Sequence, residues 1–163
     1  MTPRRQAELP LGPALMLLQR LWRLNHALER VSTRMERSLG VTAQQRLVIR
    51  CLGKYPGMTA GQLAGLLHVD PGTVSAALKR LEHKGLVLRR RDPKDRRRAS
   101  LGLTEQGRAL DQPSEGTVES AVERLLAAAE PRQLDAATAL LDQLVEALER
   151  ETAAPGGEER ASS

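Results

Sequence analysis

The chain has no phenylalanine, one tryptophan and one tyrosine among its 163 residues. A core built without aromatic rings rests on leucine, valine and alanine, which suits helix-on-helix packing better than a sheet sandwich. The single cysteine, Cys51, excludes an internal disulfide framework and a cysteine-based zinc site. His26, His68 and His83 are scattered without ligand spacing, so no metal is expected. No stretch approaches the roughly 18 uninterrupted apolar residues of a membrane span, so no membrane partner is expected. The apolar run after Arg4 and Arg5 meets Arg20 and Arg23 and lacks a small-residue cleavage site. It reads as an amphipathic helix, not a secretory leader, which gives a cytoplasmic, prokaryotic nucleoid-associated protein as the expectation. No nucleophile, base and orienting group can be assembled, nor a phosphate-cradling glycine loop, so neither an enzyme nor a bound cofactor is expected.

What the chain does have is positive charge in one place. Residues 88–98, LRRRDPKDRRR, hold seven basic and two acidic side chains, and their excess of +5 equals the net charge of the whole protein. Residues 1–104 sum to +13 and residues 105–163 to −8. Like charge packed this densely points to a polyanion, and duplex DNA is the first candidate; the bland alternative is a solvated basic loop. The acidic, helical end suggests a second task such as self-association.

Two heptad-like seams lie near the ends. Ala14, Leu17, Leu21, Leu24, Leu28, Val31 and Met35 form one, closed by Gly40, and Leu134, Ala137, Leu141, Leu144 and Leu148 form the other, opened by Pro131. They could pack on each other within one subunit. The preferred reading joins two copies, because DNA readers of this size commonly dimerise to span two half-sites.

Between the seams the start signals are sharp. Thr42 with Gln45 and Thr59 with Gln62 are capping boxes, and Asp70 followed by Pro71 caps a further helix. In that helix Val74, Ala77, Leu78 and Leu81 make a buried stripe, and Thr73, Ser75, Ala76, Lys79, Arg80 and His83 face outward. Gly85 ends it. A hairpin with its tip at Asp92-Pro93-Lys94-Asp95 follows, and Thr104 caps the next helix. The order is helix, turn, helix, basic wing. Thr73, Ser75 and Ala76, in the first turn of the second helix, are placed for base edges; Lys79 and Arg80 reach phosphates, with Arg80 also able to make a bidentate guanine contact. The N-terminal turn at Thr59 and Gln62 offers free N–H groups to a phosphate. Arg91, Lys94, Arg96, Arg97 and Arg98 supply the basic wing.

The run LEHKGLVLRRRDPKDRRRASLGLTEQGRAL, preceded by VDPGTVSAALKR, resembles the winged helix-turn-helix of the multiple-antibiotic-resistance (MarR) regulators. Leu81, Glu82, Gly85 and Leu86 match that family's Leu-Glu-x-x-Gly-Leu, Asp95 and Arg97 its wing Asp-x-Arg, and Leu103, Thr104 and Gly107 its Leu-Thr-x-x-Gly. The resemblance spans about residues 11–151. It implies a mainly α fold with a small β wing, and a homodimer built from the N- and C-terminal helices. It further implies a repressor of a palindromic operator, relieved by a small aromatic or phenolic acid or by oxidation. Arg97 would then be the minor-groove arginine and Asp95 the residue that holds its fork. Two departures stand out. Arg46 follows Gln45 where the family commonly has an aromatic, and Asp111 to Gly116, with Pro113, should break a helix the family runs continuously.

The expected organisation is a flexible segment 1–12, one MarR-like domain 13–151 and a disordered tail 152–163. Within the domain, 13–39 and 117–151 would dimerise, 42–104 bind DNA and 105–116 connect them. Trp22 and His26 lie one turn apart on the first helix, as do Arg46 and Arg50 on the second, so an aromatic wall and a cationic anchor could hold an aromatic carboxylate. Cys51, on an apolar stripe, is expected to be core, with thiol-based sensing as the alternative. An architectural protein that binds DNA without sequence preference is the remaining rival.

Overall fold

The computed structural model describes residues 11–91 and 99–153. Its elements are α1 (Pro13–Leu39), α2 (Ala43–Lys54), α3 (Ala60–Leu67), α4 (Pro71–His83), β1 (Val87–Arg91), β2 (Ala99–Leu103), α5 (Glu105–Leu110), α6 (Val118–Ala128) and α7 (Pro131–Ala153). The fold is mainly α with a two-stranded antiparallel sheet, as expected. Among the described residues no helix is long and apolar enough to cross a membrane.

The boundaries follow the caps. Thr42 Oγ1 accepts from the Gln45 amide at 3.2 Å while Gln45 Oε1 accepts from the Thr42 amide, and Thr59 with Gln62 repeats the exchange. Asp70 Oδ1 accepts from the Thr73 amide at 2.9 Å, and the Thr73 hydroxyl donates to the other carboxylate oxygen. These bonds hold the Asp70 carboxyl below its usual pKa, the Thr73 hydroxyl first among the causes. A carboxylate stabilised in the fold in this way supports the cap above the ordinary Asp range and loses that support as pH falls through the lowered value. Gly40 closes α1 in the left-handed region at φ 74°.

The chain divides into two compact units, Met1–Ser120 and Ala121–Ser163. In the first, α2, α3, α4 and the sheet enclose a core of Val41, Val48, Ile49, Leu52, Leu63, Val74, Leu78, Leu81, Val87 and Leu101, with no ring in it. The buried stripe of α4 is the expected one, Val74, Ala77, Leu78 and Leu81. The strands pair from Val87 with Leu103 to Arg91 with Ala99. The loop before α3 pairs with the outer side of β2, Gly57 N–H donating to Leu101 O at 3.0 Å and Leu101 N–H to Met58 O at 2.8 Å. In the second unit α7 buries no residue, and Leu134, Leu141, Val145 and Leu148 stand exposed along it.

Two of the three motifs that carry the family resemblance lock each other. Thr104 Oγ1 accepts from the Gly107 amide and donates to Gly85 O at 2.7 Å, and the Thr104 amide donates to Leu86 O. Gly107 then lies so close to the Leu86 carbonyl that a Cβ has no room. The end of α4 and the start of α5 are thereby fixed at the base of the wing.

Candidate nucleic-acid interface

Helix α4 presents Ser75, Ala76, Lys79 and Arg80 as an exposed face opposite its buried stripe. Thr73 is half-buried with its hydroxyl committed to Asp70, so its first contribution is to the cap. On α3, Gln62 is exposed and Thr59 half-buried, both occupied by the capping box. The side chains of Arg91, Lys94, Asp95, Arg96, Arg97 and Arg98 lie outside the described residues; β1 ends at Arg91 and β2 begins at Ala99.

Two contacts that the sequence reading missed tie the interface together. Arg89 Nε on β1 donates to Glu82 on α4, which pins the root of the wing to the helix. Lys84 Nζ, just past α4, donates to Gly40 O at 2.7 Å and Gln45 Oε1 at 3.0 Å, joining the end of α4 to the end of α1 and the start of α2. A seven-residue separation across the Gly85 turn could have suggested the first. Nothing local signals the second, because its partners are 44 and 39 residues away.

The break between α5 and α6 is present as expected, with α5 ending at Leu110 and α6 starting at Val118. It is closely held. Arg46, at 0% exposure, donates through Nη1 to Leu110 O at 2.6 Å, through Nη2 to Gln112 O at 2.7 Å and through Nε to Glu119. One turn on, Arg50 Nη1 donates to both the carbonyl and the carboxylate of Asp111. Arg34 Nη2 donates to Gly116 O at 3.0 Å, and Thr117 with Ser120 caps α6 reciprocally.

This geometry corrects the expected aromatic-acid pocket. Arg46 has no donor turned to an open site, because the carbonyls freed by the broken helix claim its fork. Trp22 is 81% exposed and His26 is exposed, so the described protomer builds no aromatic wall around them.

Cys51 is half-buried and packs against the core, and burial raises its thiol above the usual value despite the neighbouring Lys54. A thiol so shifted is a poor nucleophile near neutral pH. Cys51→Ser should leave both duplex affinity and its response to peroxide as in the parent chain; a peroxide response that vanishes in the variant, measured by gel shift, would overturn this.

The MarR family model matches residues 41–99. The chain is 35% identical over 72 residues to the organic hydroperoxide resistance transcriptional regulator of Bacillus subtilis (strain 168), 44% of this chain and 49% of that one. It is 40% identical over 70 residues to the HTH-type transcriptional regulator TtmR of Methylorubrum extorquens (strain PA1), 43% of this chain and 36% of that one. The matches thus span about half or less of these curated relatives. Among solved structures, Streptococcus pneumoniae FabT in complex with DNA superposes with a TM-score of 0.62 at 25% identity, over 85% of this chain and 99% of that one. The fold is a winged helix of the regulator type. Over residues 41–99 the chain is similar to the MarR family.

Proposed function

We propose that the protein is a sequence-specific regulator of transcription that binds duplex DNA as a homodimer on an inverted repeat, acts as a repressor and is released by a small effector. The carrying observation is the exposed face of Ser75, Ala76, Lys79 and Arg80 on a capped α4, beside strands that lead into an arginine-dense wing. A helix so placed enters the major groove with its N-terminal turn toward base edges, while the wing arginines meet phosphates and the minor groove. The names of the relatives and the solution of a structural neighbour on DNA support the reading. The exposed leucines of α1 and α7 support self-association, since apolar area of this extent on a soluble chain marks an interface.

Selection from a random duplex pool tests it. The recovered site should be an inverted repeat with half-sites about 10 bp apart, centre to centre, bound at least about a thousandfold more tightly than unrelated duplex at the same salt. A ratio near one would replace the regulator with an architectural binder.

A further inference from the structure

Under the root of the wing is a cleft of about 350 Å³ that the proposed DNA contacts do not use. Its open apolar lining is Leu88 of β1 and Pro56 of the loop after α2; Leu52, Leu101 and Leu103 also border it but are buried in the core. The alternation of β1 places Leu88 and Arg90 on the cleft side, opposite Gly102 and Ser100 of β2, while Arg89 turns to Glu82. Arg108 reaches the same space from α5, held by a bond from its Nη1 to Leu103 O at 3.0 Å. Gly102 leaves space that a side chain would occupy; a Cβ there would meet Leu88 at an ordinary 3.6 Å.

The charges in this cleft do not balance. Among the described residues neither Arg90 nor Arg108 has a carboxylate partner. Asp111, the acidic residue on the lining, is already paired with Arg50. Two guanidiniums beside the apolar surface of Leu88 and Pro56, with no aromatic ring in the lining to select a flat ligand, match a single carboxylate carrying a short aliphatic body. The volume lies at the small end of ligand sites, which excludes long chains and nucleotides. Inorganic phosphate or a DNA phosphate shares the anionic group but leaves Leu88 and Pro56 in water.

We propose that this cleft binds a small aliphatic carboxylate, its headgroup between Arg90 and Arg108 and its chain against Leu88 and Pro56. An occupant would bridge the wing strand to α5. The inference is independent of the DNA-binding reading, because binding is measured on the free protein.

Hexanoate is the probe, titrated into the full chain by calorimetry and followed by amide chemical shifts. Binding should move the amides of Gly57, Leu101 and Gly102, and Arg90→Gln should weaken it by about tenfold or more, the scale of a lost charged hydrogen bond. Gly102→Val, which fills the space without a left-handed backbone, should abolish binding, and Arg89→Gln, on the opposite face of the strand, should leave it intact. Hexanol, acetate and inorganic phosphate should each bind at least about tenfold more weakly than hexanoate. Equal affinity of parent and Arg90→Gln would overturn the site. So would phosphate binding as tightly as hexanoate, or shifts that persist in Gly102→Val.

Discussion

Arg46→Met should be among the most damaging single substitutions in this chain, lowering the stability of the first unit by about 3–5 kcal/mol, the range for breaking a buried ionic contact from one side. Methionine retains the length and apolar volume of the arginine stem but removes every donor. The carbonyls of Leu110 and Gln112 and the carboxylate of Glu119 then lose their partner together. Glu119 is 28% exposed and can recover water, which moves the expectation toward the lower end. Glu119→Gln keeps both carbonyl bonds and an acceptor for Nε, so it should cost only about 1 kcal/mol. Urea denaturation of the three proteins checks the ordering. A loss below about 1 kcal/mol for Arg46→Met would show that the break between α5 and α6 holds itself without the arginine.

The same residue shows where the sequence stopped being legible. The helix starts at Thr42, Thr59, Asp70 and Thr104 were readable, because each of these residues acts on an amide three residues away. The buried stripe of α4 was readable for a similar reason, since period and burial coincide in a short amphipathic helix. The break after Leu110 was visible in its proline and glycine, and the arginine at 46 was visible as a departure from the family. What the sequence could not show is that the second answers the first. Their partners lie 64 to 73 residues apart, and only the closed fold brings a guanidinium to carbonyls that a broken helix has released. Read locally, Arg46 and Arg50 were two cations one turn apart and suggested a ligand anchor. The pair Lys84 and Gly40 escaped for the same reason. The cleft at Arg90 and Arg108 was equally invisible, because its walls come from four separate segments.

The seams present the opposite case, a sequence pattern that the protomer leaves unsatisfied. Leu17, Leu24 and Leu28 of the α1 seam and Leu134, Leu141 and Leu148 of the α7 seam are all exposed, from 38% to 58%. Leu21, Val31 and Leu144 are half-buried, and Met35, at the end of the first seam, is buried. Deleting residues 1–38 would therefore remove a core side chain along with the proposed interface, and point substitutions in α7 separate the two effects. Leu141→Asp with Leu148→Asp introduces two charges on one face of a helix that buries nothing within its own chain. If that face joins two copies, burying an unpaired carboxylate at each position is prohibitive, and the doubly substituted protein should sediment as a monomer where the parent is a dimer. Affinity for an inverted repeat should then fall by about a hundredfold or more, because the second half-site no longer enjoys the effective concentration that linkage provides. Hydrogen exchange in α2 and α4 should be unchanged, since both substitutions lie in the second unit. A variant that remains dimeric would locate the contact elsewhere and remove α7 from the interface.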